Sequence, residues 1–549
     1  GTLAYRIVKE KNTSPETNGP EDSKLQEEQE KLLSEWDNNE KFEENFNATF
    51  DEASVAPTPE ASMMADAPPM PQILGATIVF INSDITLGNK NDSVTIASTS
   101  GSFSLTQNVL VAKGGKTHWG RVGNPNIVAE LSEFSINPLK AELEAYNATL
   151  TYNEVLDKSV IGVYNYKCLK EKDSLASYPR FISYTGGVGI KNIGESLKYV
   201  GGFSLKGAKI LSTSLDESNS KIEIYKGDKK VVTAYSHLFE LGKDKISAPL
   251  VSAILFLNND SITHPGVSFE YVKSKRTLKL KNQSSSFGKT PYQDTYHKLE
   301  ILSEYVFWDL NKPEMDFSMI TGRAESPSIF TSADYFNDKE FNNMKGIYKF
   351  HPLFIINTYM NETRTKNGEI SVSAMAEKYK LDPKTLENAM VSLNRKGFVD
   401  YYRGTVTMKT KGFHYIKSKE GKKDFDQIKI LSKEKSKANA TLNLDNMEMT
   451  IRGVEKFFIS EKLNVFILPE NKEVKVQQNR DFKFDGRLLT SDMLVFFGKN
   501  MRFDYDSFFV DMKTIDSLKL RIKTKEKDAA GKFVIKDLKS QIESASGEL

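Results

Sequence analysis

The feature that most limits what this chain can fold into is a recurring short run of β-branched and aromatic residues, closed each time by Asn, Asp, Gly or Ser. Between 73 and 165 the runs are Ala76–Leu87, Ser93–Ser98, Gly101–Leu105, Asn108–Val111 and Ala148–Tyr152. Between 180 and 350 they continue at Tyr199–Leu211, Ile222–Tyr225, Val231–Tyr235, Val251–Leu257, Gly266–Tyr271 and Leu278–Leu280. A third series follows in 438–525, from Ala440 through Leu494-Val-Phe-Phe. Starts this close together, with no long helical period between them, predict stacked short strands. The expected class is mostly β (α+β overall), built as jelly-roll, sandwich or solenoid-like regions. Within 73–165 only the polar stretch Leu139–Ala145 reads as a short helix.

The period switches once, in 351–410. His351–Met360 offers a helix with Pro352 in its first turn. Val372, Met375, Ala376 and Tyr379 recur at i, i+3, i+4 and i+7, which defines a second helix. Asp382 is a natural N-cap and Pro383 a natural first residue for a third helix, whose apolar face is Leu386, Ala389, Met390 and Leu393. Gly397 stands where that helix should stop. Two strand-like runs then flank Arg403-Gly404, a hairpin signal. The stretch Ser371–Val399 resembles the helix 2–helix 3 core of bacterial winged-helix proteins. That resemblance implies an inserted winged-helix domain over 351–418. Nucleic-acid contact would then fall to Lys384, Asn388 and Arg395 on the third helix, and to Arg403 and Lys409 on the wing. Glu387 would face phosphate unfavourably, so a protein-contact module is favoured and nucleic acid is disfavoured as partner. The tract 417–437 holds eight lysines but four acids, and 419–437 reads as a solvated connector.

Composition bounds the rest. The 549 residues suffice for several domains. Net charge is +2, but residues 21–52 carry twelve acids against three lysines, which leaves a mild basic excess elsewhere. Residues 1–72 read as an acidic, then Pro/Ala-rich linker, and 526–549 as a polar tail. The β-rich regions are expected at 73–170, 171–350 and 438–525. A single cysteine, Cys168, excludes an intramolecular disulfide and any Cys-based metal site. No apolar run approaches the length of a membrane-spanning helix. A start at Gly1 without Met reads as a piece of a longer chain.

Chemistry-bearing motifs are sparse. Asp260-Ser-Ile-Thr-His264 and Asp294-Thr-Tyr-His297 are the most metal-like pairs, and the spacing favours turn-capping instead. Gly114-Gly115 and Gly186-Gly-Val-Gly189 lack the Lys-Ser/Thr of a phosphate loop and read as turns. The Asp504/Asp506 pair carries no glycosidase signal without geometry. No catalytic set, cofactor site or metal site is therefore expected.

Tyr178–Tyr184, Asn259–Gly266 and Phe497–Asp506 resemble phrases from very large proteins of Bacteroidota-type bacteria. The strand style is similar to the β-jelly-roll proteins of lipopolysaccharide transport. These resemblances imply a periplasmic or cell-envelope place, with the cytoplasm as alternative, and protein, lipid or glycan partners. The favoured expectation is a non-enzymatic structural or transport-type scaffold with an embedded interaction module. The alternatives are a DNA-binding regulator and a glycan-active β-helix enzyme.

Overall fold

The computed structural model describes residues 69–548, apart from 283–289, 320–326, 347, 349, 366–368, 492, 529–530 and 532. The expected linker 1–72 lies almost wholly outside the described residues. Within them the chain is mostly β. Thirty-four of its strands join one sheet, and three more form a small separate sheet.

The large sheet is an antiparallel ladder that repeatedly divides in two. Strand Ser93–Ser104 pairs with Val109–Lys113 through its second half and with Lys116 through Ala97. The two rows so begun meet again at Glu142–Thr151, which takes Glu133–Asn137 on one half and residues 128–130 on the other. The same division and reunion recurs at the long hairpin Lys245–Leu257/Asp260–Val272 and at Phe482–Thr490. Register shifts sit in the middle of these long strands, between Ala145 and Ala148, Ala248 and Ala253, and Phe484 and Gly486. A bulge bends a strand, so each long strand turns from one row into the other.

The two rows face a shared interior. Alternate residues of both are buried: Leu278, Leu280, Val306 and Trp308 in one, Ile262, Tyr292, Ile301 and Phe330 in the other. They belong to one packed cluster, and Tyr292 meets Phe317 across it edge to face at 6.4 Å. A smaller cluster, centred on Trp119, Phe134, Tyr164 and Phe181, fills the amino-terminal part. The strands form because their alternation matches the pleat. Their turns form because Asn tolerates positive φ, as at Asn108, Asn258 and Asn464.

The helical segment enters as an insertion at the tip of one hairpin, since Ser328–Ser332 pairs directly with Lys429–Ser432. It begins with helix α1 (Asp338–Asn343), capped by Asn337, whose side chain accepts from Glu340 N. Then come α2 (Pro352–Thr363), α3 (Val372–Tyr379) and α4 (Pro383–Arg395). Ser371 and Asp382 cap α3 and α4. The hairpin Val399–Tyr402/Thr405–Met408 turns at Arg403-Gly404, both with positive φ, and takes Ile370–Ser371 as a third strand. Helix α5 (Thr410–Lys419) closes the insert. The order expected for 351–410 is present, around a core of its own.

Four expectations are corrected. Leu139–Ala145 is no helix: Ala141 turns at φ 50° and Glu142 starts a strand that buries Leu143 and Ala145. The expected connector 419–437 contains the wholly buried Phe425 and the strand Lys429–Ser432. The expected tail 526–549 carries Phe533–Glu548, a strand paired with Phe509–Lys527. The three β regions are one ladder, not separate units.

Candidate functional site

The insert is held to the ladder by a buried seam around Arg480. This side chain is 2% exposed, an arrangement that is costly for a cation unless every donor finds a partner. Its guanidinium lies over the Tyr505 ring at 4.0 Å, donates to Ala333 O at 2.9 Å and reaches Asp506 Oδ1 at 3.2 Å. The same carboxylate oxygen is 3.4 Å from His414 Nε2 on α5. His414 stacks on Phe425 with 4.1 Å between centroids. Burial, followed by the nearby charges of Arg480, Lys417 and Lys298, pulls its pKa down to about 3. Tyr505 Oη donates to Phe425 O and Asp426 O, and Lys411 reaches Asp334 at 3.4 Å. Helix α5 is thereby clamped between the 478–480 turn and the 505–508 turn, which fixes the insert's orientation on the ladder.

With that side occupied, α4 and the wing point outward. Lys384, Glu387, Asn388, Asn394 and Arg395 are exposed on α4. Arg403 lies over the ring of Tyr402 at 5.0 Å on the wing tip, and Tyr402 is 68% exposed. The structure thus places four of the five expected contact residues, Lys384, Asn388, Arg395 and Arg403, on free surface. The fifth, Lys409, is engaged with Asp400 at 2.7 Å. Asn394 Oδ1 accepts from Tyr401 N, tying the wing to α4. The outward face carries both signs and a solvent-exposed aromatic tip.

The two metal-like pairs become neighbours, because Ile262 pairs with Asp294 across adjacent strands, but each is absorbed locally. Asp294 Oδ1 accepts from the backbone N of Tyr296 and His297, and Oδ2 is 2.7 Å from His297 Nδ1. His297 Nε2 donates to Met447 O at 2.9 Å, in a turn of the opposite row. Asp260 accepts from Thr295 Oγ1. His264 Nε2 donates to Thr290 O at 3.0 Å, while its Nδ1 accepts from Gly266 N. These residues cap turns and join the two rows. Among the described residues no group of three or more His, Cys, Asp or Glu side chains is placed to hold a metal.

Other sequence candidates also have structural work. Gly114 and Gly115 turn with positive φ between two strands. Asp504 accepts from Ser507 N, and Asp506 belongs to the seam. Cys168 is buried, and burial pushes its thiol pKa up, away from the reactive thiolate. Sequence reasoning missed Arg480 altogether. Its partners at 333–334 and 505–506 lie far along the chain, and the only local signal was an Arg among turn residues.

No protein-family model matches the chain, and no curated protein matches its sequence.

Proposed function

We propose that this chain is a non-enzymatic scaffold of a bacterial cell envelope: a two-rowed β spine that holds a helical interaction module outward. The observation that carries this reading is the filled interior. Inward side chains of both rows are buried to within a few per cent from Ile96 to Met512. A carrier of apolar molecules needs a lined void, and here the apolar row is core. The cavity of about 350 Å³ bordered by Leu211, Leu238, Pro249 and Glu270 lies beside the bulge at Ala248. Its lining includes Glu240, Ser247 and Glu270, outward-facing cross-strand neighbours. The envelope placement rests on the sequence phrases at Tyr178–Tyr184, Asn259–Gly266 and Phe497–Asp506. The module's free face, with Tyr402 and Arg403 at its tip, is the surface through which partners would be gathered.

Titration of the full chain with a soluble fluorescent fatty acid tests the choice between scaffold and carrier. The expected result is no saturable uptake at micromolar protein. Saturable, stoichiometric uptake that quenches the buried tryptophans Trp119 or Trp308 would replace the scaffold by a carrier.

A further inference from the structure

The outer face of the ladder's carboxy-terminal part carries an apolar cluster that the core does not need. Directly opposed residues in a sheet share a face. Phe458 opposes Phe466, Phe466 opposes Leu489, Leu489 opposes Val495, and Val495 opposes Lys519. Their neighbours Ile467, Leu488 and Phe496 point the other way, into the main core. Phe466, Leu489 and Val495 form a separate buried cluster on the solvent side.

Cations lie over and beside this cluster. Lys456 Nζ is 4.4 Å from the Phe458 ring centroid and 3.7 Å from that of Phe466, and Lys519 Nζ is 5.1 Å from that of Phe497. Past register shifts after Lys519 and after Lys523, Lys523 pairs with Ile535 and Lys527 with Phe533 in the last hairpin. Phe533 there is 53% exposed. Arg521 on this face is matched by Asp537 at 2.9 Å. Lys519, Lys523 and Lys527 follow one another at even spacing along Phe509–Lys527.

We propose that this face is a docking surface for an anionic phospholipid bilayer. Charge complementarity selects the occupant, and shape supports it. Six neighbouring strands make a face about 24 Å wide at the row from Phe458 to Lys519, and beyond Leu520 the two-stranded ribbon Phe509–Lys527/Phe533–Glu548 carries Lys523 and Lys527 onward. A peptide strand needs a sheet edge and a peptide helix needs a groove, whereas the apolar cluster lies on a sheet face. Lysine stems lying on aromatic rings can swing their ammonium groups to phosphates while the rings meet the interface. Each lysine near an anionic surface strengthens binding roughly fivefold. The proposal stands apart from the scaffold reading, since a carrier could dock by the same face.

Co-sedimentation of the full chain with sucrose-loaded vesicles tests it. The expected result is partition onto phosphatidylcholine vesicles containing phosphatidylglycerol, weakening as salt rises, and little onto phosphatidylcholine alone. Lys519→Glu, Lys523→Glu and Lys527→Glu together should weaken partition by at least about a hundredfold with the thermal midpoint unchanged. Where that reversal disturbs the fold, Lys523→Gln with Lys527→Gln gives the same comparison with a smaller loss. Equal partition onto both vesicles, no partition, or unchanged binding by a folded variant overturns the proposal. So does tighter binding to a single-stranded oligonucleotide, which would assign the face to nucleic acid.

Discussion

Two histidines spend the folded state neutral, and the reason is local. His264 is 1% exposed, and its ring accepts from Gly266 N on one side and donates to Thr290 O on the other, which satisfies one neutral tautomer. Burial draws its pKa down to about 4. His414 is drawn down to about 3 by burial first and by Arg480 next, even with Asp506 beside it, because Arg480 shares that carboxylate. Both folded values lie below the unfolded value of about 6.5. The stabilisation is therefore complete above about pH 6.5 and is lost as pH falls. At pH 5 each histidine should cost about 2 kcal/mol relative to pH 7. Urea unfolding at the two pH values measures the sum. His414→Phe, which keeps a ring against Phe425 and has nothing to titrate, should remove about half of the drop. An unchanged pH dependence in that variant would count against a neutral buried His414. The capping role of Asp294 was legible in the sequence, because an Asp can reach N–H groups two and three residues on. The partner of His297 Nε2 was not, since Met447 O is 150 residues away.

At the level of elements, legibility follows the range of the signal. Helices α3 and α4 and the wing were readable because Ser371, Asp382-Pro383 and Arg403-Gly404 act within three or four residues. Helix α5 was not. Its sequence, Thr-Lys-Gly-Phe-His-Tyr-Ile-Lys-Ser-Lys, falls within the expected domain 351–418, but its early Gly and flanking lysines give no helical signal. Gly412 is there because Phe398 O would stand 2.8 Å from any Cβ, a constraint set by packing rather than by helix propensity. The Glu142 segment failed in the opposite sense, with helix-forming residues drafted into a strand by pairing on both sides. The insert's site of entry makes it separable. Ser332 N donates to Ile428 O, and Phe336 N to Phe425 O, so the hairpin closes beneath the insert. Replacing residues 338–422 with a short Asn-Gly turn should leave the ladder folded, with strand content by circular dichroism matching that of the ladder alone. It exposes part of the Arg480 seam, and a destabilisation of about 2–4 kcal/mol is expected from the lost packing and unmet polar groups. Collapse of the ladder to an unfolded chain would show that the insert is an integral part of its core.

Over the whole molecule, the ladder is quasi-one-dimensional, each strand bonding only to near neighbours along it, and such architectures need not unfold as one unit. The interior divides accordingly. One cluster runs from Leu87 to Leu205 and the other from Ile193 to Ile515, and the partly buried Ile190 and Ile210 pack against both. Hydrogen bonds continue across this junction, through Ser204–Lys206 and Lys209–Leu211 to Glu240, but apolar contact narrows there. Calorimetry of the full chain should therefore resolve two transitions. Trp119→Ala removes a fully buried side chain that meets Tyr164 edge to face at 5.4 Å. It should cost about 3–5 kcal/mol and lower one transition alone. Trp308→Ala, 2% exposed in the larger cluster, should lower the other. If either substitution shifts a single transition whose calorimetric and van't Hoff enthalpies agree, the junction at Ile190 and Ile210 transmits the full cooperativity of the fold. The spine would then be one rigid body instead of two segments joined by a continuous sheet.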